Sequence, residues 1–170
     1  LTDKLRADFG SVVMDVAIHV EELKAEAQDY LDAQFAHLNP EEVEGLRAGM
    51  GMGMARVAEL NGYPGPKHVI ELSGVLGLSA GQANAMQELR DQMSEKAVPL
   101  GMAVLEREHH LQRLFEQTSF SSQGLSHLLM EIADLRQRLR WVHLETHLKA
   151  RELLSASQIA RYMALRSHTE

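Results

Sequence analysis

Two histidines one helical turn apart are the residues of this chain best suited to chemistry: His143 and His147, in the string Trp141-Val-His-Leu-Glu-Thr-His147. On a helix, positions i and i+4 project from one face, so both imidazoles could grip a single transition-metal ion. The same spacing also arises where a helix simply presents a half-exposed polar face. The chain has nine His, nine Met and no Cys. That excludes thiolate sites and disulfides and leaves imidazole, carboxylate and thioether as ligands. Met50, Met52 and Met54 form a cluster that could take Cu(I) or pack flexibly against the glycines around it. His109 and His110 point to different faces and read as surface residues, and His19 as a half-buried helix residue. His37, His127 and His168 have no partner at useful spacing. No nucleophile–base pair, phosphate loop or H-E-x-x-H string suggests catalysis, and the chain is not expected to be an enzyme.

Helices must position these residues. Strand signals are absent, and Leu, Ala, Met, Glu and Arg dominate a chain that is 45% hydrophobic, enough for a packed all-α core. Thr2 can cap a first helix to about Leu38, with an apolar stripe of Val12, Val16, His19, Val20, Leu23 and Ala27. Asn39-Pro40-Glu41-Glu42 starts a second helix. That helix is expected to carry Gly45, Gly49 and Gly53 at four-residue spacing, as if another helix approached closely. Asn61-Gly-Tyr-Pro-Gly-Pro66 reads as a linker. A short helix follows from Lys67 to about Leu76, closed by Gly77. A long helix then runs to about Gln117, with Pro99 expected to kink or break it. After the turn Thr118–Ser122, a second long helix reaches Leu153, and a last short one spans Ala156 to about Arg166.

So short a turn makes the two long helices antiparallel neighbours. If Phe115 meets Leu125, paired positions add to about 240. His147 then faces Met93 and His143 faces Ala97, with Asp91 and Glu95 within a turn. Hairpin geometry thus offers a ligand set of His143, His147 and either Met93 or Asp91.

Charge narrows the partners. Residues 1–66 hold twelve acidic and five basic side chains, so the whole net charge of −7 lies there. An acidic chain is poorly suited to nucleic acid, where phosphate contacts supply most of the affinity. Arg136, Arg138 and Arg140 form the only basic cluster and read as a solvated helix face. No run of 18 apolar residues and no signal peptide is visible, although the chain could be the trimmed form of a secreted or anchored protein.

Two strings, Leu78-Ser-Ala-Gly-Gln82 and Leu154-Ser-Ala-Ser-Gln158, bracket the hairpin. Each reads as a capping box, with Ser79 or Ser155 at the N-cap and Gln82 or Gln158 at N3. The pair resembles the L-T-x-x-Q motifs of the Spy/CpxP family of bacterial periplasmic proteins, which includes heavy-metal sensors resembling CnrX. Serine stands here for threonine in both copies, and the resemblance covers about Lys67 to Arg166. It implies an all-α hairpin domain (residues 67–170) behind an acidic N-terminal helical extension and linker (residues 1–66). It further implies a homodimer, a periplasmic location, and one of two activities. One is binding a divalent transition metal (Ni, Co, Zn or Cu), as a buffer or as a sensor reporting to a membrane signalling partner. The alternative is ATP-independent chaperoning of unfolded clients. In the sensor branch His143 falls on a histidine ligand, His147 on a methionine ligand, and His68 lies near a third. The family's second histidine on that helix is missing, where Glu71, Leu72 and Ser73 stand. Arg90 takes the place of its acid, beside Asp91. The candidate metal residues are therefore His143, His147, His68, Asp91 and Met93. A third reading is a purely structural helical dimer assembled through its acidic N-terminal helices.

Overall fold

The computed structural model describes residues 2–166, the side chains of 2–12, 28, 29, 31 and 32 excepted. Its frame is set by two glutamines. Gln82 and Gln158 each complete their own capping box: the Ser79 and Ser155 hydroxyls accept from the Gln82 and Gln158 backbone N–H at 3.1 and 3.2 Å. In return the glutamine side-chain oxygens accept from the Ser79 and Ser155 N–H at 3.0 and 2.9 Å. The two boxes also meet. Gln82 Nε2 donates to Gln158 Oε1 at 2.9 Å, and Gln158 Nε2 to Gln82 Oε1 at 3.1 Å. Gln82 Nε2 further donates to the Leu153 carbonyl at 2.7 Å, the residue before the other motif. An amide has both donors and acceptors, so one residue type can cap a helix and cross-link two chain segments.

The boxes start two helices of a set of eight among the described residues, and no strand occurs among them. In chain order these are α1 (Thr2–Ala33), α2 (Pro40–Arg47), α3 (Arg56–Leu60), α4 (Pro66–Glu71), α5 (Ser73–Leu76), α6 (Ala80–Glu116), α7 (Ser122–Glu152) and α8 (Ala156–Arg166). The architecture is all-α, as composition and periodicity require. Helices α6 and α7 form the antiparallel hairpin. Arg107 Nε meets Glu131 at 3.4 Å and Arg136 meets Glu108 at 2.7 Å, pairs that bracket the expected register. Gly77 closes α5 in the left-handed conformation (φ 64°). Beside the capping boxes, α4, α5, α8 and the adjoining ends of α6 and α7 bury Val69, Leu76, Met86, Ala150, Leu154 and Tyr162 together. Pro99 lies inside α6 without breaking it. Pro99 and Glu95 are both exposed, so the carbonyl left without its N–H partner is on a solvated stretch.

Three expectations are corrected. Helix α2 ends at Arg47, so Gly49 and Gly53 are not helical. They adopt left-handed φ values of 61° and 78°, which glycine alone takes without penalty, and the segment becomes a looping cover. The close helix approach does exist, but its glycine is Gly101 of α6, whose Cβ would overlap the Leu46 carbonyl. Second, residues 61–66 are not a free spacer. Gly62, Pro64, Gly65 and Pro66 are buried, and Arg151 of α7 donates to the Gly62 carbonyl while lying 4.5 Å over the Tyr63 ring. Third, Arg136 is no solvated charge: it bridges Glu42 at 2.8 Å as well as the buried Glu108. Burial acts to lower its pKa, but the hydrogen bonds to the two carboxylates outweigh this and raise it.

The chain divides into two compact units, Leu1–Pro40 and Glu41–Glu170, so residues 41–66 belong with the hairpin. In the first unit α1 ends at Ala33, earlier than its periodicity suggests, and Val16, Val20 and Leu23 are exposed. The Thr2 and Val12 side chains and His168 lie outside the described residues. Among the described residues no helix is long and apolar enough to cross a membrane.

Candidate functional site

One face of α7 carries Val142, His143, Thr146, His147 and Ala150, all buried. Their spacing traces a stripe down the helix, and the segment 48–68 lies against it. The segment folds this way because its glycines let backbone approach imidazole directly. A Cβ at Gly51 would stand 3.3 Å from His143 Nδ1, and one at Gly65 would stand 2.9 Å from His147 Nε2. Between the segment and the hairpin is a cavity of about 540 Å³. His68, Met93, His143 and His147 all line it, so four of the five residues expected at a metal site share one space.

The fifth does not join them. Asp91 is exposed and accepts from Gln87 Nε2 at 2.8 Å, one turn earlier on the same helix. The carboxylate that does line the cavity is Glu59 of α3. Sequence reasoning missed it because a segment read as helix plus linker offered no reason to fold back onto α7. The Gly/Pro density of residues 61–66 was the available signal, since such a string permits a tight reversal as readily as a spacer.

Two of the three imidazoles are held by Nδ1. His147 Nδ1 lies 2.8 Å from the Tyr63 carbonyl, which can only accept, so Nδ1 carries the proton. His68 Nδ1 lies 3.0 Å from Glu59 Oε1, and its N–H donates to that carboxylate. His143 has its Nε2 buried without a hydrogen-bond partner. Anchoring one ring nitrogen to an oxygen is how proteins orient an imidazole whose other nitrogen meets a ligand.

Burial, followed by the proximity of His147, lowers the pKa of His143, opposed by its bond to Gly49. His143 therefore stays neutral, the form that binds metal, into more acidic conditions than a free histidine. Glu59 also receives Arg166 Nη2 at 3.4 Å, so its charge is shared between His68 and Arg166. Among the described residues, no three His, Asp or Glu side chains come together closely enough to hold an ion by themselves.

The fold and site thus describe an all-α hairpin whose end is covered by a glycine-rich segment over a histidine-lined cavity. Comparison with family models, with curated proteins and with solved structures found no match to this chain.

Proposed function

We propose that this chain is a periplasmic metal-binding stress or resistance protein, which buffers a divalent transition-metal ion or reports it to a membrane partner. His143 and His147 would be the central ligands, with His68 and Met93 approaching from the cavity's other walls. The single observation that carries the reading is the buried, unpartnered Nε2 of His143 in a cavity that His68 and His147 also line, each of those held by Nδ1 to an oxygen. The unpartnered, buried Nε2 of His143 is otherwise a cost without a return. An ion would tie the 48–68 segment to α7, coupling occupancy to the cover of the hairpin.

Metal titration followed by thermal melting tests this. At a hundredfold excess over its Kd, a bound ion should stabilise the fold by about 2.7 kcal/mol. The shift should vanish in the His143→Ala, His147→Ala double variant. No metal binding tighter than about 0.1 mM, an affinity of about −5.5 kcal/mol, would sink the reading.

A second reading, an ATP-independent chaperone, is favoured by a separate groove of about 630 Å³ along the hairpin, lined by Pro99, Leu100, Leu135 and the exposed Trp141. If that groove took clients, Trp141→Ser would impair suppression of client aggregation and leave metal titration unchanged.

A further inference from the structure

The cavity's composition specifies which ion it suits. Besides the histidines it is lined by three methionines, Met50 and Met52 from the covering loop and Met93 from α6. Met50 and Met52 are exposed large apolar side chains in a loop that also carries Gly49, Gly51 and Gly53, and the Met52 thioether lies against Gly45 of α2. Met52 also adopts φ 42°, the sole non-glycine residue with positive φ among those described. A side chain there is disfavoured by about 1–2 kcal/mol, a strain that folds commonly retain at functional sites.

Charge makes a second, independent argument. Lys67 and Arg90 line the same cavity, against the carboxylate of Glu59, itself paired with His68 and Arg166. Repulsion from that surplus doubles when an ion's charge goes from one to two. Coordination number makes a third. Divalent nickel, cobalt or zinc needs four or more donors. Here no three His or carboxylate side chains converge among the described residues. A monovalent soft ion is content with fewer donors and prefers thioether and imidazole, and in a chain without cysteine the thioether is the only soft sulfur donor.

From these observations we infer that the cavity is a site for a monovalent soft metal ion, Cu(I) or Ag(I), held by His143 and His147 with one or two thioethers from the lining methionines Met50, Met52 and Met93. The inference rests on the metal-binding reading above and replaces its divalent ion with a monovalent one. Helix α7 supplies the two imidazoles as a rigid pair, while the loop and α6 contribute the methionines that line the same cavity. Lys67 and Arg90 then act as selectivity elements that disfavour a doubly charged competitor.

The experiment is anaerobic titration of the full chain with Cu(I) against a chromophoric Cu(I) chelator and with Ag(I) by calorimetry. Ni(II), Co(II) and Zn(II) are titrated in parallel, and all are repeated on a Met50→Leu, Met52→Leu, Met93→Leu variant. Leucine keeps the apolar volume, and circular dichroism melts establish that the variant folds. Cu(I) and Ag(I) should bind at least about a hundredfold more tightly than the divalent ions, and the variant should lose about tenfold or more for the monovalent ions only. X-ray absorption of the Cu(I) form should show sulfur scatterers that the variant lacks. Tight divalent binding with weak Cu(I), or Cu(I) binding indifferent to the three methionines, overturns the inference and leaves the metal-binding reading standing. Failure of every ion to bind overturns both.

Discussion

At the residue scale, what distinguishes this protein is buried polar atoms that the fold leaves unserved. His143 is held neutral by burial, so its pKa in the fold lies below the unfolded value of about 6.5. Between those two values the unfolded chain binds more protons. The stability that depends on neutral His143 is therefore complete above about pH 6.5 and is lost as pH falls through the lower folded pKa. Chemical denaturation of the wild type from pH 7.5 to 5 should show this decline, and His143→Gln should flatten it. A variant with an unchanged acid slope would contradict the assignment. Tyr162 is the opposite case. Fully buried and with no partner for its hydroxyl, it is pushed up to about 12, by burial first and by nearby Glu59 second. A buried hydroxyl without a hydrogen bond is a liability of about 1–3 kcal/mol, so Tyr162→Phe should be neutral or stabilising. A loss above about 1 kcal/mol on denaturant unfolding would mean that the hydroxyl has a partner in solution.

At the element scale, the two L-S-x-x-Q strings do more than begin helices. As capping boxes each belongs to one helix, but their glutamines exchange hydrogen bonds across 76 residues of chain. The motif repeats because each copy is the other's partner. Gln82→Ala should cost about 2–3 kcal/mol, because it takes partners from the buried Gln158 amide, and Gln158→Ala about 1–2 kcal/mol, because the half-buried Gln82 keeps the Ser79 N–H and the Leu153 carbonyl. The double variant should cost less than their sum, with a coupling of about 1 kcal/mol in a denaturant-based cycle. Strict additivity would mean the pair does not form. The same scale explains the misread glycines: four-residue spacing suits a helix face, yet Gly49 is needed in left-handed backbone beside α6. Its Cβ would come within 2.8 Å of the Val98 nitrogen. Spacing cannot tell a glycine kept for close packing from one kept for positive φ.

At the scale of the whole molecule, the buried cluster that includes Val69, Met86 and Tyr162 lies entirely within residues 41–170, as does the histidine-lined cavity. A fragment beginning at Glu41 should therefore fold cooperatively and keep the full chain's metal affinity within about threefold, since it retains every proposed ligand. One beginning at Lys67 should lose the cavity's cover together with Met50, Met52 and Glu59, and bind at least about tenfold more weakly. Equal affinity in the two fragments would show that the cover plays no part. The helical architecture, the hairpin register and the alignment of His143 with His147 were legible in the sequence. Each depends on periodicity or capping within one or two neighbouring segments, and such patterns are written locally. The cavity was not legible. It exists because Arg151 and His147 capture the carbonyls of Gly62 and Tyr63, 84 or more residues away. Backbone acceptors are common to every residue and leave no trace in side-chain pattern. The sequence by itself determined which histidine, methionine and carboxylate side chains this protein possesses and the helix face that bears His143 and His147. Only the tertiary structure decided that Glu59 and the loop methionines join them while Asp91 does not, because a reversing glycine–proline segment finds its place through long-range packing.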